Sequence, residues 1–306
     1  MKTAVVLNPR AAAGRAGAQW PLIEAALRNE LGDWTPLRTE RPGHATDLVR
    51  QALRDGHDRI VSVGGDGTHH EVVNGFFDGD IAVRPEAVLA VVPIGTGSDL
   101  GRTLRLPPGV DAVPIITRGR VVHSDLGRVT YTRHNGGTTT CYFINVADFG
   151  AGGAVAERVN NSSKGMGGFW SFFKGVLTTL IHYRAPHFEL EIDGEAINGR
   201  SLSVIVANAE YYGGGIHVAP RASLEDGLID VFVLADMSIF RAMLNLRRFY
   251  VGDLYDRPRL VRPFQARRIA LRSPERVLIN LDGEQPGTLP ATVEAIPKAI
   301  RIVMAG

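Results

Sequence analysis

The sequence predicts a two-part chain, with an α/β domain built on a parallel sheet followed by a mostly antiparallel β domain. Up to about residue 119, short apolar strands alternate with segments of helical periodicity, a pattern typical of a parallel sheet covered by helices. Beyond Arg120 the apolar residues recur with a period of two, broken by Asn-Gly and Asp-Gly dipeptides that favour hairpins. We therefore predict a first domain at residues 1–122 and a β-rich domain at 123–290, with residues 291–306 returning to the first.

The order of the predicted elements places the loops of the first domain at one edge of its sheet. Strands are predicted at residues 4–7, 35–39, 59–63 and 88–92, and helices at 18–31, 45–54, 68–77 and 110–117. In the second domain, helices are predicted near residues 152–159, 169–183 and 239–250. Since ligands of open α/β sheets bind beyond the carboxyl ends of the strands, the loops at 8–17, 39–43, 64–67 and 93–99 are expected to converge on one crevice.

Composition narrows the class of protein. A chain of 306 residues with 44% apolar and 22% charged residues is ordinary for a globular protein. The net charge of +2 gives no reason to infer a nucleic-acid partner. Cys141 is the single cysteine, which excludes a disulfide framework or a thiolate metal cluster within one chain and indicates a reducing, cytoplasmic compartment. The first apolar run ends at Asn8-Pro9, too early for a signal peptide.

The segment at residues 61–75, VSVGGDGTHHEVVNG, predicts a phosphate-binding loop. A β-branched run stops at Gly64-Gly65, where residues without a Cβ can take positive φ and lie against an anion. Thr68 and Glu71 match a capping box, so a helix is expected to begin at Thr68 with its positive end toward the glycines.

Asp66 is the residue that this loop geometry does not need. A carboxylate beside phosphates is repulsive unless a divalent cation or a transferable proton lies between them. We therefore interpret Asp66 as serving a Mg²⁺-nucleotide. The alternative is an ordinary strand-to-helix turn in which Asp66 is the N-cap and Glu71 only the capping partner.

Further motifs, taken together, carry a family resemblance. They are Asn8-Pro9, the segment PIGTGSDL at 93–100, NLDGE at 280–284, NAEYYGGG at 208–215 and LEDGLID at 224–230. In order and spacing the chain resembles the diacylglycerol kinase catalytic family, the bacterial lipid kinases related to sphingosine and ceramide kinases. Residues 282–284 alone would also fit a plain hairpin turn with an exposed Glu.

The resemblance implies roles for individual residues. Glu284 would be the catalytic base, facing Asp66 across the cleft between the domains. Asp226 would bind a structural Mg²⁺ with the main-chain carbonyls of Ser223 and Leu228, although a tight turn explains the same residues. Asp125 would lie near the metal of the nucleotide, or be an ordinary strand-end aspartate. The implied nucleotide contacts are Asn8, Thr39, Gly65, Asp66, Gly67, Thr68, His69, His70, Glu71 and Thr96.

The chain departs from the family pattern in two loops. It carries Ser98 where the family often has Asn, and a hydroxyl offers fewer hydrogen bonds than an amide. Its first loop lacks a hydroxyl between Arg10 and Ala13, so backbone N–H groups or Arg15 would have to serve instead.

The resulting expectation is a Mg²⁺-dependent lipid kinase that moves the γ-phosphate of ATP to a lipid hydroxyl, as in diacylglycerol, giving phosphatidic acid. Its partners would be ATP and a lipid met at the membrane surface, by peripheral contact at the inner face; a homodimer is left open. Two other functions remain open: a kinase of a soluble substrate such as NAD, and a non-catalytic regulator that binds nucleotide or lipid.

Overall fold

A mixed β-sheet runs through the molecule, parallel on its N-terminal side and antiparallel in the C-terminal region, as predicted. The computed structural model describes residues 1–95, 97–161, 183–237, 241, 244–253 and 257–306. Its strands are β1 Thr3–Leu7, β2 Thr35–Arg38, β3 Arg59–Gly64, β4 Phe77–Asp78, β5 Ile81–Ala82, β6 Val88–Pro93, β7 Arg120–Arg133, β8 Thr138–Phe143, β9 Val146–Gly150, β10 His187–Ile192, β11 Glu195–Ala207, β12 Tyr211–Tyr212, β13 Ile216–His217, β14 Ile229–Ala235, β15 Val261–Ala266, β16 Arg268–Arg272, β17 Ile279–Leu281 and β18 Gly287–Met304.

The described helices flank the parallel strands or lie in the connections of the β-rich half. They are α1 Arg15–Leu31, α2 His44–Arg54, α3 Asp66–Gly75, α4 Asp99–Thr103, α5 Ile115–Arg118, α6 Ala151–Asn161 and α7 Leu246–Val251, with 3₁₀ turns at Ala11–Gly14 and Gly109–Ala112. Within the described ranges, no helix is both long enough and apolar enough to span a membrane.

The parallel half has the strand order β2-β1-β3-β6. Helix α1 covers one face through Ile23 and Leu27, while α2 and α3 cover the other through Val49 and Val72, all fully buried. Strand β18 joins β6 in parallel, with Arg301 opposite Val88, so the end of the chain extends the parallel part of the sheet.

The antiparallel half extends from β18 in two directions. Strand β7 pairs with β18 and β8, while β16, β10, β11, β14 and β15 follow on the other side. The predicted hairpin at Asp193-Gly194 joins β10 to β11 with positive φ at both residues, as a two-residue hairpin turn requires. The hairpin expected at Asp226-Gly227 is wrong, because this dipeptide lies in a loop before β14, whose neighbours are β11 and β15.

Some predicted boundaries shift. Helix α3 begins at Asp66, two residues before the expected start. The helix predicted at 110–117 is two short pieces, with Pro114 at the start of the second. The helix predicted at 169–183 lies almost wholly outside the described residues, as does part of the one at 239–250. Because β7 runs through the expected boundary near residue 122, the division into two domains stays a prediction.

Candidate functional site

The loops that follow the parallel strands meet at one edge of the sheet. Gly64 pairs with Pro93 at the ends of β3 and β6, and the N–H of Ile94 donates to Gly64 O at 2.6 Å. The N–H of Asn8 donates to Val63 O at 3.2 Å, and that of Thr39 to Leu7 O at 2.9 Å. The crevice expected from the strand order is therefore present, with Asn8, Thr39 and the glycine loop along it. Thr96 lies outside the described residues.

Of the two glycines at the end of β3, Gly64 serves close packing, and neither has unusual dihedral angles. Gly64 and Gly65 are not among the residues with positive φ, contrary to the geometry expected from the sequence. A Cβ on Gly64 would instead lie 2.7 Å from Thr68 Oγ1 and 2.8 Å from Thr68 Cβ. A Cβ on Gly65 would meet only Ile94 O, at 3.4 Å. Gly64 thus lets the first turn of α3 lie against the strand.

This difference predicts unequal effects for two neighbouring substitutions. Gly64→Ala is expected to lower the free energy of unfolding by about 1–3 kcal/mol, because the new methyl group overlaps Thr68. Gly65→Ala, the matched control, has an allowed backbone conformation with φ −99° and should cost less than about 1 kcal/mol. Urea unfolding of both variants measures the difference, and equal losses would contradict this account of Gly64.

Asn8 and Thr68 are bonded to each other. Asn8 Nδ2 donates to Thr68 Oγ1 at 3.0 Å, and Asn8 Oδ1 accepts the N–H of Arg10 at 3.1 Å. The side chain of Thr68 is buried, as is Thr39. These contacts fix the shape of the first and third loops; direct nucleotide contacts from these residues stay predictions.

Glu71 does not cap its own helix. Its carboxylate accepts the N–H of Gly43 at 2.8 Å and the N–H of Ala45 at 3.1 Å, both at the start of α2. The capping-box interpretation is therefore wrong: Gly65 is the N-cap of α3 and makes no side-chain cap bond. Because a carboxylate at a helix N-terminus satisfies free N–H groups, Glu71 ties α3 to α2.

The two adjacent histidines have different surroundings. His69 is fully buried, with Nδ1 2.7 Å from Ser62 Oγ, and burial lowers the pKa of His69 to about 4. Its side chain therefore offers no surface to a nucleotide. His70 places Nδ1 3.0 Å from Asp282 Oδ2 and Nε2 3.6 Å from Cys141 Sγ. Burial works against a charge on this ring, but Cys141 and the Asp282 carboxylate outweigh it and raise the pKa of His70 well above its usual range.

Asp66 and Asp99 form an acidic pair where the glycine loop meets the loop after β6. Asp66 Oδ1 accepts the N–H of Leu100 at 3.1 Å, at the start of α4. Asp99 is buried and accepts the N–H groups of Gly214 at 2.9 Å and Gly215 at 2.7 Å. Burial first, and then the charge of Asp66, raise the pKa of Asp99 to about 6. The site therefore has excess negative charge that a cation would relieve.

Hard carboxylate oxygens suit Mg²⁺, but both oxygens of Asp99 accept backbone N–H groups, so Asp66 is the carboxylate of the pair with an oxygen left for a cation. Over the described ranges, no group of three His, Cys, Asp or Glu side chains could hold a metal ion. A cation at Asp66 would need further oxygen ligands, such as those of a nucleotide.

The turn at residues 281–284 carries Glu284 beside the glycine loop. The N–H groups of Leu281 and Glu284 each donate to the other residue's carbonyl, at 2.8 and 2.9 Å. Glu284 is exposed, and a Cβ on Gly67 would lie 3.4 Å from Glu284 Oε1. A Cβ on Gly97 would lie 3.4 Å from Asp66 Oδ2. Glu284 thus lies beside Gly67 in the first turn of α3, and the carboxylate of Asp66, the residue before Gly67, lies beside Gly97 in the loop after β6.

The residues expected to hold a second metal lie elsewhere. Asp226 is exposed, and its Oδ1 accepts the N–H of Leu228 at 3.0 Å, which is the tight-turn alternative. The main-chain oxygens of Ser223 and Leu228 are close in sequence, and a metal there stays a prediction. Asp125 is buried, and its carboxylate accepts the N–H groups of Gly227 at 2.6 Å and Lys298 at 2.7 Å.

The role expected for Asp125 near the nucleotide's metal stays a prediction. Its neighbour Ser124 pairs with Ile300 in β18, and Arg301 of that strand pairs with Val88 at the start of β6. The phosphate-binding loops follow the other end of β6. Its bond to the N–H of Gly227 shows that Asp125 also fixes the turn there.

The departures in the two loops have structural counterparts. Ser98 has φ 45°, and its hydroxyl donates to Gly95 O at 3.0 Å. Arg15 Nε donates to Ala12 O at 3.1 Å, and the side chain lines an open cavity of about 420 Å³ together with Ile94 and Gly95. Arg15 thus lies at the crevice, where the sequence suggested that it could help.

Two residues of the site escaped the sequence analysis as individual candidates. Asp99 bonds to the Gly214 segment and Asp282 to His70, each across more than 100 residues. Both belong to motifs that were recognised, GTGSD and LDGE, but their partners are distant in sequence. The sequence did show an Asp close to a proposed functional residue in each motif, Asp99 near Thr96 and Asp282 near Glu284.

Two family models match the chain, "Diacylglycerol kinase catalytic domain" over residues 2–129 and "YegS C-terminal NAD kinase beta sandwich-like domain" over residues 145–304. The diacylglycerol kinase of Bacillus subtilis (strain 168) is 30% identical over 268 residues, 86% of this chain and 82% of the relative.

Solved structures show the same fold. A diacylglycerol kinase of Bacillus anthracis str. Sterne has a TM-score of 0.72 at 22% identity, covering 99% of this chain and 96% of that chain. Yeast NADH kinase in complex with NADH has a TM-score of 0.55 at 12% identity, covering 100% and 84%.

The fold and these matches define a kinase, a phosphotransferase with an α/β part and a β-rich part. Membership of this class implies ATP as the phosphoryl donor. The chain belongs to the diacylglycerol kinase family.

Cys141 provides a chemical probe of the site, because it is the single cysteine of the chain and is half-buried. Its sulfur lies 3.3 Å from Asn74 Oδ1 as well as beside His70, so a bulky adduct would displace both side chains. N-ethylmaleimide is expected to lower kinase activity by roughly tenfold or more in the wild type. Cys141→Ala should be insensitive to the reagent, and equal inhibition of both proteins would contradict the prediction.

Proposed function

We propose that this kinase is a Mg²⁺-dependent lipid kinase that transfers the γ-phosphate of ATP to a hydroxyl of a diacylglycerol-like lipid, giving phosphatidic acid or a relative. The observation that carries the proposal is the position of the Glu284 carboxylate beside Gly67, at the start of the helix that follows the glycine loop. A base at this point can meet an acceptor hydroxyl next to bound phosphates.

The nucleotide phosphates would lie against the glycine loop. The N-terminus of α3 points its free N–H groups and positive end there, and Gly65 and Gly67 leave room for close approach. The same crevice is lined or supported by Asn8, Thr68 and Arg15. The helix α3 beside it is tied to α2 by Glu71 and to Asp282 by His70. Asp66 would hold Mg²⁺ together with nucleotide oxygens, and the bound cation supplies neutralisation of the phosphate charge.

Glu284 would act as the general base. The lipid hydroxyl oxygen forms a bond to the γ-phosphorus, the bond from that phosphorus to the β–γ bridging oxygen breaks, and the hydroxyl proton passes to the Glu284 carboxylate. ADP leaves with the bridging oxygen. The exposed position of Glu284 lets a lipid reach it from the open side of the cleft.

The remaining expectations extend this proposal. The β-rich part, residues 123–290, would receive the lipid at a membrane surface, and the α/β part, residues 1–122 with 291–306, would hold ATP. A structural Mg²⁺ at Asp226, with carbonyls of Ser223 and Leu228, would order the same loop that Asp125 holds through the N–H of Gly227.

A transfer assay with γ-labelled ATP tests the proposal. Acceptors are diacylglycerol, monoacylglycerol, ceramide, sphingosine, phosphatidylglycerol and NAD, each with Mg²⁺ and with excess chelator, and Asp66→Asn is the control protein. We expect label in a lipid product that depends on the metal and is lost in the variant. Label in NAD with none in lipid would favour the soluble-substrate kinase, and ATP binding without turnover on any acceptor would favour a regulator.

A further inference from the structure

Hydrogen bonds of the Asp282 carboxylate connect the turn that carries Glu284 to the rest of the fold. Its side chain is fully buried, and Oδ1 accepts the N–H groups of Asn145 at 2.9 Å and Val146 at 3.0 Å. Oδ2 accepts the N–H of Ile144 at 3.0 Å. Three backbone donors on one carboxylate fix the direction of its side chain.

A fourth donor reaches Asp282 from the nucleotide half. His70, in the second turn of α3, places Nδ1 3.0 Å from Asp282 Oδ2. Because the carboxylate is an acceptor, Nδ1 carries the proton and donates. This bond joins α3, the helix that follows the glycine loop, to the turn that carries Glu284, across 212 residues of sequence.

Helix α3 and strand β8 are bonded to each other around His70. Asn74, one turn further along α3, donates from Nδ2 to His70 O and to Tyr142 O, both at 2.9 Å, and accepts the N–H of Tyr142 at 2.9 Å. Cys141 contacts the other ring nitrogen at 3.6 Å. Strand β8 is therefore bonded to α3 through Asn74 and contacts the His70 ring through Cys141.

We propose that His70 is a positioning residue for phosphoryl transfer, acting through Asp282 to hold Glu284 at its distance from the glycine loop. The inference rests on the proposed function, since it requires Glu284 to be the base. His70 touches neither substrate nor phosphate in this role. Glu284 is exposed. In this proposal, the hydrogen bonds of Asp282 hold the turn and so fix the position of the Glu284 carboxylate beside Gly67.

The effect expected is on the rate of the chemical step. A displacement of a catalytic group by about 1 Å costs roughly 100-fold in rate. His70→Ala should therefore lower kcat by roughly 10- to 100-fold, with the KM values for ATP and lipid unchanged within about twofold. His70→Asn places an amide donor near the position of Nδ1 and should recover most of kcat.

A double substitution separates positioning from a general structural effect. If His70 acts through Glu284, then adding His70→Ala to Glu284→Gln should change the residual kcat by less than about threefold, because the group it positions is already inactive. A merely structural role would lower kcat in both backgrounds by the same factor. His57→Asn is the matched control, a buried histidine bonded to Ala52 O and Thr35 Oγ1 and unconnected to the turn. It should alter stability without altering kcat at 25 °C.

The outcomes are distinguishable. Full activity of Glu284→Gln would overturn both the proposed base and the role of His70. Loss in Glu284→Gln with wild-type kcat in folded His70→Ala would overturn the positioning role alone. Equal factors in the two backgrounds, or no recovery in His70→Asn, would also overturn it. Urea unfolding of each variant, measured before the assays, identifies which proteins are folded under assay conditions.

Discussion

Glu284→Gln is expected to lower kcat by roughly 1,000-fold, because an amide cannot accept the proton of the lipid hydroxyl. The KM for ATP should change little. Among the described residues, the Glu284 side chain makes no hydrogen bond to the glycine loop, so its loss should leave that loop in place. The free energy of unfolding should stay within about 0.5 kcal/mol, because the residue is exposed and only its backbone bonds hold the turn. Steady-state transfer of labelled phosphate to diacylglycerol measures the loss.

Glu195→Gln is the matched control for this substitution. Glu195 is also exposed and also follows an Asp-Gly turn, at the start of β11, but it lies at the hairpin with β10. Wild-type kcat in this variant would assign the loss at Glu284 to the site. A kcat for Glu284→Gln within threefold of the wild type would remove the base from the mechanism.

Asp66→Asn is expected to lower kcat/KM by roughly 100- to 1,000-fold. Most of this loss is expected to come from weaker use of Mg²⁺ by the variant. Asparagine keeps an oxygen that can accept the N–H of Leu100, so the start of α4 should remain in place. It removes the negative charge that would hold the cation. The same charge, added to the effect of burial, raises the pKa of Asp99 in the wild type. The variant should therefore be as stable as the wild type and need more Mg²⁺ for half-maximal rate.

The control for Asp66 is Asp111→Asn, at an exposed aspartate of the Gly109–Ala112 turn. Titration of both variants and the wild type with Mg²⁺ at saturating ATP gives the comparison. An unchanged Mg²⁺ requirement in an active Asp66→Asn protein would show that this carboxylate does not serve the cation.

Local signals were sufficient for the parallel half and for some turns. The β-branched run before Gly64 and the glycines after it predicted both β3 and the edge at which the loops meet. Asp193-Gly194 predicted a hairpin because Asp and Gly tolerate the positive φ that a two-residue turn needs, and both residues adopt it here. Each of these features depends on residues within a few positions of one another.

Long-range partners were beyond the reach of local patterns. Thr68 and Glu71 have the spacing of a capping box, yet Glu71 bonds to Gly43 and Ala45, because α2 lies beside α3 only in the folded chain. Asp226-Gly227 has the composition of a hairpin turn but lies in a loop fixed by Asp125. A carboxylate bonds whichever donors the fold brings to it, and sequence spacing does not reveal them.

Single-turnover transfer of label from γ-labelled ATP to diacylglycerol most directly tests the claim that Glu284 and Asp66 serve one chemical step. Enzyme is in excess over ATP, and wild type, Glu284→Gln and Asp66→Asn are compared at the Mg²⁺ concentration that gives the wild type half of its maximal rate. We predict labelled phosphatidic acid from the wild type and a rate at least roughly 100-fold lower in each variant. Transfer at the wild-type rate by both folded variants would contradict the account.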